Sequence, residues 1–321
     1  MEIINGKIKT NELTKNAQGG SELYGAELIK YVDNDLLKNF QIVFGRAREL
    51  DQTKKRIFFC NDLPEDPESQ ILANGGWNKF DKLVFVSNWQ MQRYIQTFGM
   101  PWRNCTVVKA AIEPISIVYD NKPKDKIKLI YHTTPHRGLQ ILVPVFEKLS
   151  QEFNNLELDV FSSFNAYGWP ERDEIYKDLF KVCEDHPKIN YYGFQPLEKI
   201  RESVSAAHIF AYPCIWLETA CRSLMESMSG ELISVHPNYG ALYETAANWS
   251  LSYQWVQDLR DHAEIFYNNL RLSIKIIQES HENPVIFEQL KARIMMQKIY
   301  ADQFYSWDTR KVEWEELLKN M

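Results

Sequence analysis

Two glutamates, Glu218 and Glu226, stand eight residues apart in the segment ETACRSLME. At 3.6 residues per turn this is a little over two turns, so on one continuous helix both carboxylates lie near the same face. The spacing predicts a helix over Thr219–Ser229, with Glu218 at its entry and Glu226 inside it. An ionised carboxylate accepts two hydroxyls at once, so vicinal diols are natural partners. The N–H groups near Thr219 and Ala220 can receive a phosphate oxygen at the helix start. The plainer alternative makes Glu218 a helix-terminal charge and Glu226 part of a solvated face. Against it, Leu224 and Met225 flank Glu226 in a mostly apolar stretch.

Gly19 and Gly20 form a second candidate, ahead of an apolar-periodic run through Leu23, Ala26, Leu28 and Ile29. Glycine lets backbone approach a ligand, and a helix start offers N–H groups to an anion. The alternative is a plain turn ending in a Ser21 cap. Arg46 and Arg48 follow a strand and can point into a cleft, whereas Lys54, Lys55 and Arg56 precede the next strand and point away. The five basic residues therefore form no single patch, and a solvated face is the favoured reading.

These side chains need a scaffold, and short apolar runs alternate with helical stretches. Strands are expected at Gln41–Phe44, Arg56–Cys60, Lys82–Val86, Thr106–Val108, Lys128–Tyr131, Leu156–Phe161, Ile189–Tyr192, His208–Tyr212 and Leu232–Val235. Helices are expected at Ser21–Tyr31, Trp89–Phe98, Leu139–Phe153, Arg172–Val182 and Thr219–Ser229. Continuous Val, Ile, Leu and Phe runs suit strands covered on both faces, and βα alternation implies parallel sheets and an α/β class. No strand is expected before Gly19. A polar, Pro-containing boundary at Tyr119–Lys126 separates a first lobe, 1–122, from a second, 123–300. Residues after Trp255 read as helices broken near Asn283-Pro284. The last, 301–321, starts at Ser306-Trp307-Asp308 and is expected to pack back on the first lobe.

Composition narrows the function. The net charge of −6 over 321 residues lacks the basic excess of a dedicated nucleic-acid binder. No apolar run approaches the roughly 20 residues that span a bilayer. The N-terminus lacks a signal-peptide core, which leads to an expected cytoplasmic location. Five scattered cysteines, none in C-x-x-C, read as reduced thiols, and no histidine spacing suits a zinc site.

The ordered motifs resemble retaining glycosyltransferases of the two-Rossmann-lobe (GT-B) fold, close to family 4, the glycosyl transferase group 1 type. Glu218 and Glu226 match the E-x7-E motif. Gly19-Gly20, Val86-Ser87-Asn88-Trp89, Pro135-His136-Arg137-Gly138-Leu139, Tyr212-Pro213, Gly240-Ala241-Leu242-Tyr243-Glu244, Trp307-Asp308 and Trp314 fall in matching order. The resemblance implies two Rossmann-type lobes facing a cleft, a C-terminal helical segment, and a nucleotide-sugar mainly on the second lobe. It further implies that Glu226 binds the ribose hydroxyls, Glu218 the transferred sugar, and Arg137 the diphosphate leaving group. UDP- or GDP-sugars are the expected donors. A departing diphosphate gains negative charge that a fixed guanidinium stabilises. No D-x-D run is read in the chain, the acidic pairs Glu65-Asp66 and Glu184-Asp185 lacking that spacing, and on that ground no obligatory metal is expected.

The sequence departs from the pattern at three points. His132 stands where the family usually has a second basic residue, Ala110-Ala111 where it has Asn-Gly, and Asn61-Asp62 about where a first-lobe histidine is common. Asp62 follows a strand end, where ligands of open α/β sheets sit, and can orient or deprotonate an acceptor hydroxyl. The alternative is a turn aspartate before Pro64. By the same rule His132 is expected to line the cleft rather than the core. The expected activity is retaining transfer from a nucleotide-diphosphate sugar to a glycan, lipid-linked or other hydroxyl acceptor. Its rivals are a glycosyltransferase modifying nucleic acid bases, with Arg46 and Arg48 on phosphates, and a non-catalytic nucleotide-sugar binding protein.

Overall fold

The structure, a computed structural model, describes residues 1–9, 19–45 and 49–321. The candidate residues Arg46 and Arg48 lie outside the described residues, as do Ala17 and Gln18 ahead of the glycine pair. The chain divides into two α/β units: Met1–Ile112 with Tyr305–Met321, and Glu113–Phe304.

The first unit runs β1 (Glu2–Ile4), β2 (Lys7–Lys9), α1 (Gly20–Tyr31), α2 (Asn34–Leu37), β3 (Phe40–Phe44) and β4 (Lys55–Cys60). It continues through β5 (Lys82–Phe85), α3 (Asn88–Phe98) and β6 (Cys105–Val107). The sheet order is β2-β1-β3-β4-β5-β6. From β3 to β6 all pairs are parallel, as the buried apolar runs require, while β1 pairs antiparallel with β2 and β3.

Two strands before Gly19 correct the sequence expectation. Ile4 pairs with Lys7 across Asn5 and Gly6, whose φ values are 54° and 68°. Positive φ at both central residues of a two-residue hairpin is what Asn-Gly favours. That dipeptide was the available signal, hidden because the flanking strands are only three residues long.

The second unit holds β7 (Ile127–Tyr131), α4 (Leu139–Glu152), β8 (Leu156–Val160), α5 (Lys177–Asp185), β9 (Ile189–Tyr191) and α6 (Leu197–Ala206). It goes on with β10 (Ile209–Ala211), α7 (Arg222–Ser229), β11 (Ile233–Pro237), α8 (Leu242–Ala246), β12 (Leu251–Tyr253), α9 (Leu259–Glu282) and α10 (Pro284–Phe304). Every pair in its sheet is parallel, in the order β12-β11-β10-β7-β8-β9. The chain builds outward from β7 to β9, then returns to the other side of β7 as β10. The β7/β10 seam is thus the topological switch point, beyond whose carboxyl ends ligands of open α/β sheets bind.

The division at Ile112/Glu113 places the polar 119–126 segment inside the second unit. Lys122 there is buried, its ammonium donating to the carbonyls of Ala207, Gly230 and Ser205. The final helix, α11 (Trp307–Lys319), packs in the first unit. Ser306 Oγ caps it by accepting from Thr309 N at 3.3 Å. The Trp314 indole is fully buried and donates to the Tyr24 hydroxyl at 2.7 Å, while the Tyr24 ring stacks on Phe59 at 4.6 Å. No helix among the described residues is long and apolar enough to cross a membrane.

Candidate functional site

Arg137 follows β7 and Glu218 follows β10, so the switch point brings them together. Arg137 Nη1 donates to Glu218 Oε1 at 2.5 Å, and the Tyr212 hydroxyl donates to the same oxygen at 2.5 Å. The Glu218 side chain is only 3% exposed, whereas Arg137 retains 21%. Burial works against the guanidinium charge, but the Glu218 carboxylate outweighs it and holds the Arg137 pKa well above its ordinary value. Burial, reinforced by Cys214 and Glu218, holds the Tyr212 phenol far above its usual range, so it stays a donor.

Two glycines allow these loops to interlock. Gly138, at φ +128°, is so close to the loop after β10 that a Cβ there would lie 2.2 Å from Pro213 O. The same contact carries an Ile215 N to Arg137 O hydrogen bond of 3.3 Å. Gly240, at φ +63°, passes against Glu218 itself, and Ala241 N donates to Glu218 O at 2.8 Å. The residue is therefore held by its backbone from one side and by its carboxylate from the other.

The helix expected over Thr219–Ser229 begins later. α7 starts at Arg222 with Cys221 as its cap, so Glu218, Thr219 and Ala220 lie in the preceding loop. The two glutamates do not share one helix face, and the amides opening α7 are those of Arg222 to Leu224. The cause is tertiary: the Gly240 and Arg137 contacts hold Glu218 in a loop that local periodicity does not report. Glu226 does lie inside α7, nearly fully buried, with Arg222 Nε on its Oε1 at 3.3 Å. Leu224, Met225, Ser227 and Met228 are buried around it, which rules out the solvated-face alternative for Glu226.

His132 is corrected as well. Its ring is 7% exposed, Nε2 meets Ser227 Oγ at 3.0 Å, and the ring packs 4.9 Å from Phe210. Burial lowers its pKa to about 3, leaving it neutral at physiological pH. It braces β7 against α7 rather than lining an open site. His136 is held between Phe164, stacked at 5.1 Å, and Trp216, edge-on at 4.8 Å. Burial, with Arg137 and Arg172 nearby, lowers it to about 4.

The remaining candidates lie in the first unit. Gly19, not Ser21, precedes α1, with Leu23 N on its carbonyl at 3.0 Å. A Cβ on Gly20 would meet nothing within 4 Å, so packing does not demand glycine there. Asp62 follows β4 and is exposed, its carboxylate beside Gly45 and its carbonyl accepting from Gln90 Nε2 at 2.7 Å. The neighbouring Asn61 Nδ2 donates to Ser21 Oγ at 2.8 Å. The expected absence of a D-x-D run is corrected by Asp33-Asn34-Asp35, just ahead of and within α2. There the Asp33 carboxylate caps α2 by accepting Asp35 N at 2.9 Å, and Asp35 pairs with Lys38 at 2.7 Å.

Tyr212 and Gly240 stand out in the sequence only as motif positions without a role, and Tyr167 and Trp216 not at all. Tyr212 had a signal in its place at the end of a strand, but Tyr167 reaches Arg137 through a loop whose path no pattern predicts.

Residues 113–264, most of the second unit, match the sequence model of a family described as glycosyl transferases group 1. No curated protein matches the chain in sequence. A glycosyltransferase from Rickettsia africae superposes with a TM-score of 0.64 at 17% identity, covering 98% of this chain and 84% of that one. The Anabaena protein HepE, solved with UDP-glucose, gives 0.61 at 14% identity, over 84% of this chain and 73% of that one. The pneumococcal O-GlcNAc transferase GtfA, solved with UDP and GlcNAc, gives 0.62 at 11% identity. That match covers 84% of this chain but only 53% of GtfA, about half its length. At these identities the likeness is one of fold. By sequence over most of its second unit and by fold over nearly its whole length, the chain resembles the GT-B glycosyltransferases of the group 1 type.

Proposed function

We propose that the protein is a retaining glycosyltransferase that moves a sugar from a nucleotide-diphosphate donor to a hydroxyl acceptor, the donor being a UDP- or GDP-sugar. The observation that carries the reading is the Glu218 carboxylate, fixed by Arg137 and Tyr212 at the switch point of a parallel sheet. Oε1 is occupied by those two donors, which turns the carboxylate's remaining acceptor capacity to the hydroxyls of the transferred sugar. Arg137, beside it and partly exposed, meets the diphosphate. As the glycosidic oxygen departs its charge grows, and a guanidinium already in place needs no reorganisation to stabilise it. Glu226, one turn inside α7, takes the ribose diol. Thr219, Ala220 and the first amides of α7 are the proposed phosphate-side contacts, and Gly19-Gly20 are kept as a ligand-facing helix start.

No obligatory metal is proposed, because Arg137 supplies positive charge where the leaving group develops its own. Asp62 is kept as an orienting residue for the acceptor hydroxyl. The acceptor class, whether glycan, lipid-linked or other, stays open in this reading, and nucleic acid is not favoured at net charge −6. Five unpaired, buried cysteines favour a reducing compartment such as the cytoplasm.

The test is a thermal-shift screen with UDP, GDP, ADP and their sugars, because a ligand that binds only the folded state raises its stability. A nucleoside diphosphate should raise the melting temperature, and the matching sugar donor should give transfer with retained anomeric configuration. Binding without transfer to any hydroxyl acceptor would favour the non-catalytic alternative.

A further inference from the structure

The loop that follows β8 is organised by one carboxylate. Asp173 Oδ1 accepts Phe164 N at 2.8 Å, and Oδ2 accepts the Ser163 hydroxyl. Ser163 Oγ in turn accepts Asn165 N at 2.9 Å. This clasp closes a short 3-10 turn, Phe164–Tyr167, ended by Gly168 at φ +74°. Phe164 is pinned on His136, and the turn delivers the Tyr167 hydroxyl to the guanidinium, where Arg137 Nη2 donates to it at 3.2 Å. The fork of Arg137 is thereby divided, one nitrogen on Glu218 and the other on Tyr167.

The Arg137 charge is shared with Glu218 before any ligand arrives, and Arg172 is a further cation near enough to act on His136. Arg137 and Glu218 together carry no net charge. His132 is neutral and turned to Ser227. The Tyr167 oxygen accepts from Arg137, so its single proton is left to donate, and it has no acceptor among the described residues. A hydroxyl that accepts a charge-assisted bond is polarised and donates more strongly.

We propose that Tyr167 is a second hydrogen-bond donor to the diphosphate leaving group, aimed by Arg137 and by the Asp173 clasp. The inference rests on the glycosyl-transfer reading above. In the step it serves, the bond from the anomeric carbon to the diphosphate oxygen breaks and its electron pair stays on that oxygen. The acceptor oxygen bonds to the same carbon and its proton passes to the diphosphate. Tyr167 shares its own proton throughout and does not lose it.

Tyr167→Phe keeps the ring and removes only the hydroxyl. It should melt with wild type, leave the acceptor KM unchanged and lower kcat about tenfold or more, the usual range for losing one bond to a charged group. Turnover is referred to the folded fraction from the same melting curves, so that a stability loss cannot mimic the effect. Calorimetry with UDP, GDP and ADP is then run on Arg137→Lys and on Arg137→Lys with Tyr167→Phe. A further loss of affinity in the double variant supports direct donation. No further loss means that Tyr167 only positions Arg137 and overturns the proposal, as does wild-type turnover in Tyr167→Phe. A wild-type protein that binds none of the three diphosphates overturns the glycosyl-transfer reading itself, and this proposal with it.

Discussion

Gly240 lies so close to Glu218 that a Cβ on it would stand 2.4 Å from the Glu218 carbonyl oxygen and 2.7 Å from its nitrogen. The loop after β11 is in this way a mould for the residue that closes the loop after β10. Gly240→Ala meets two obstacles, the backbone contact and φ +63°, which L side chains rarely adopt. The Glu218 backbone, or Gly240 itself, must shift, which disturbs the contact of Glu218 with Arg137. The substitution should cost about 1–3 kcal/mol of stability, and turnover per folded molecule should fall at least about tenfold, since a misplacement of about 1 Å has a large effect on rate. Thermal melts beside steady-state kinetics check this, and near-normal turnover would show that the mould does not matter.

Glu218→Gln retains the shape and the Tyr212 contact but loses the charge. It should lower kcat by about 10²–10³, as for loss of one preorganised electrostatic partner. Arg137→Ala is a less clean probe. It strips a nearly buried carboxylate of its countercharge, which typically costs about 3–5 kcal/mol, so it should lower the melting temperature along with the rate. Comparing turnover and melting for the two variants separates catalysis from packing. Normal turnover in folded Glu218→Gln would take Glu218 off the catalytic list.

Glu226→Ala should weaken binding of the nucleoside diphosphate itself, with or without a sugar attached. The measurement is isothermal calorimetry against UDP and GDP. Affinity equal to wild type would leave Glu226 as an internal partner of Arg222 and nothing more.

Turnover should survive exhaustive chelation. If EDTA abolishes activity and Mn²⁺ or Mg²⁺ restores it, Arg137 is not sufficient for the leaving group.

Acid should destabilise the second unit through its histidines. Burial lowers His132 and His208 to about 3 and His136 and His236 to about 4, against 6.5 for the free side chain. Between those values the unfolded chain binds more protons than the folded one, so stability rises with pH there and is lost as pH falls below 6.5 toward 4. Urea titrations from pH 7.5 to 4.5 should show this slope, and His236→Gln should flatten it. A flat profile in wild type would mean these rings are protonated in the folded state.

The parts of the fold governed by local pattern were legible. The nine expected strands appear within a residue or two of their places, several of them because a parallel strand buried on both faces favours a continuous apolar run, as in Ile42-Val43-Phe44 of β3 and in Ile209–Ala211. The hairpin of β1 and β2 escaped because three-residue strands carry no period. β12 escaped for the same reason, its Leu251–Tyr253 having one buried residue. At the candidate site, Glu218 and Glu226 stand out by their spacing and Arg137 by the family resemblance, but the contacts around them do not show in the sequence. Tyr167 lies 30 residues from Arg137 in sequence and reaches it only through the Asp173 clasp. The orientation of His132 depended on Ser227, 95 residues away. Such contacts are properties of the packed sheet and leave no trace in local periodicity.

The return of the last helix to the first unit sets a timetable for synthesis. Trp307 and Trp314 belong to the core around Tyr24 and Phe59, yet they are made after the whole of Glu113–Phe304. At 5–20 residues per second, the ribosome needs about 10–40 s to cross that stretch. Throughout it, the surface of Tyr24 and Phe59 that Trp307 and Trp314 cover lacks those two side chains. The first unit therefore receives part of its core only after the second has been made, and that gap is the interval in which chaperones or misassociation can act on it.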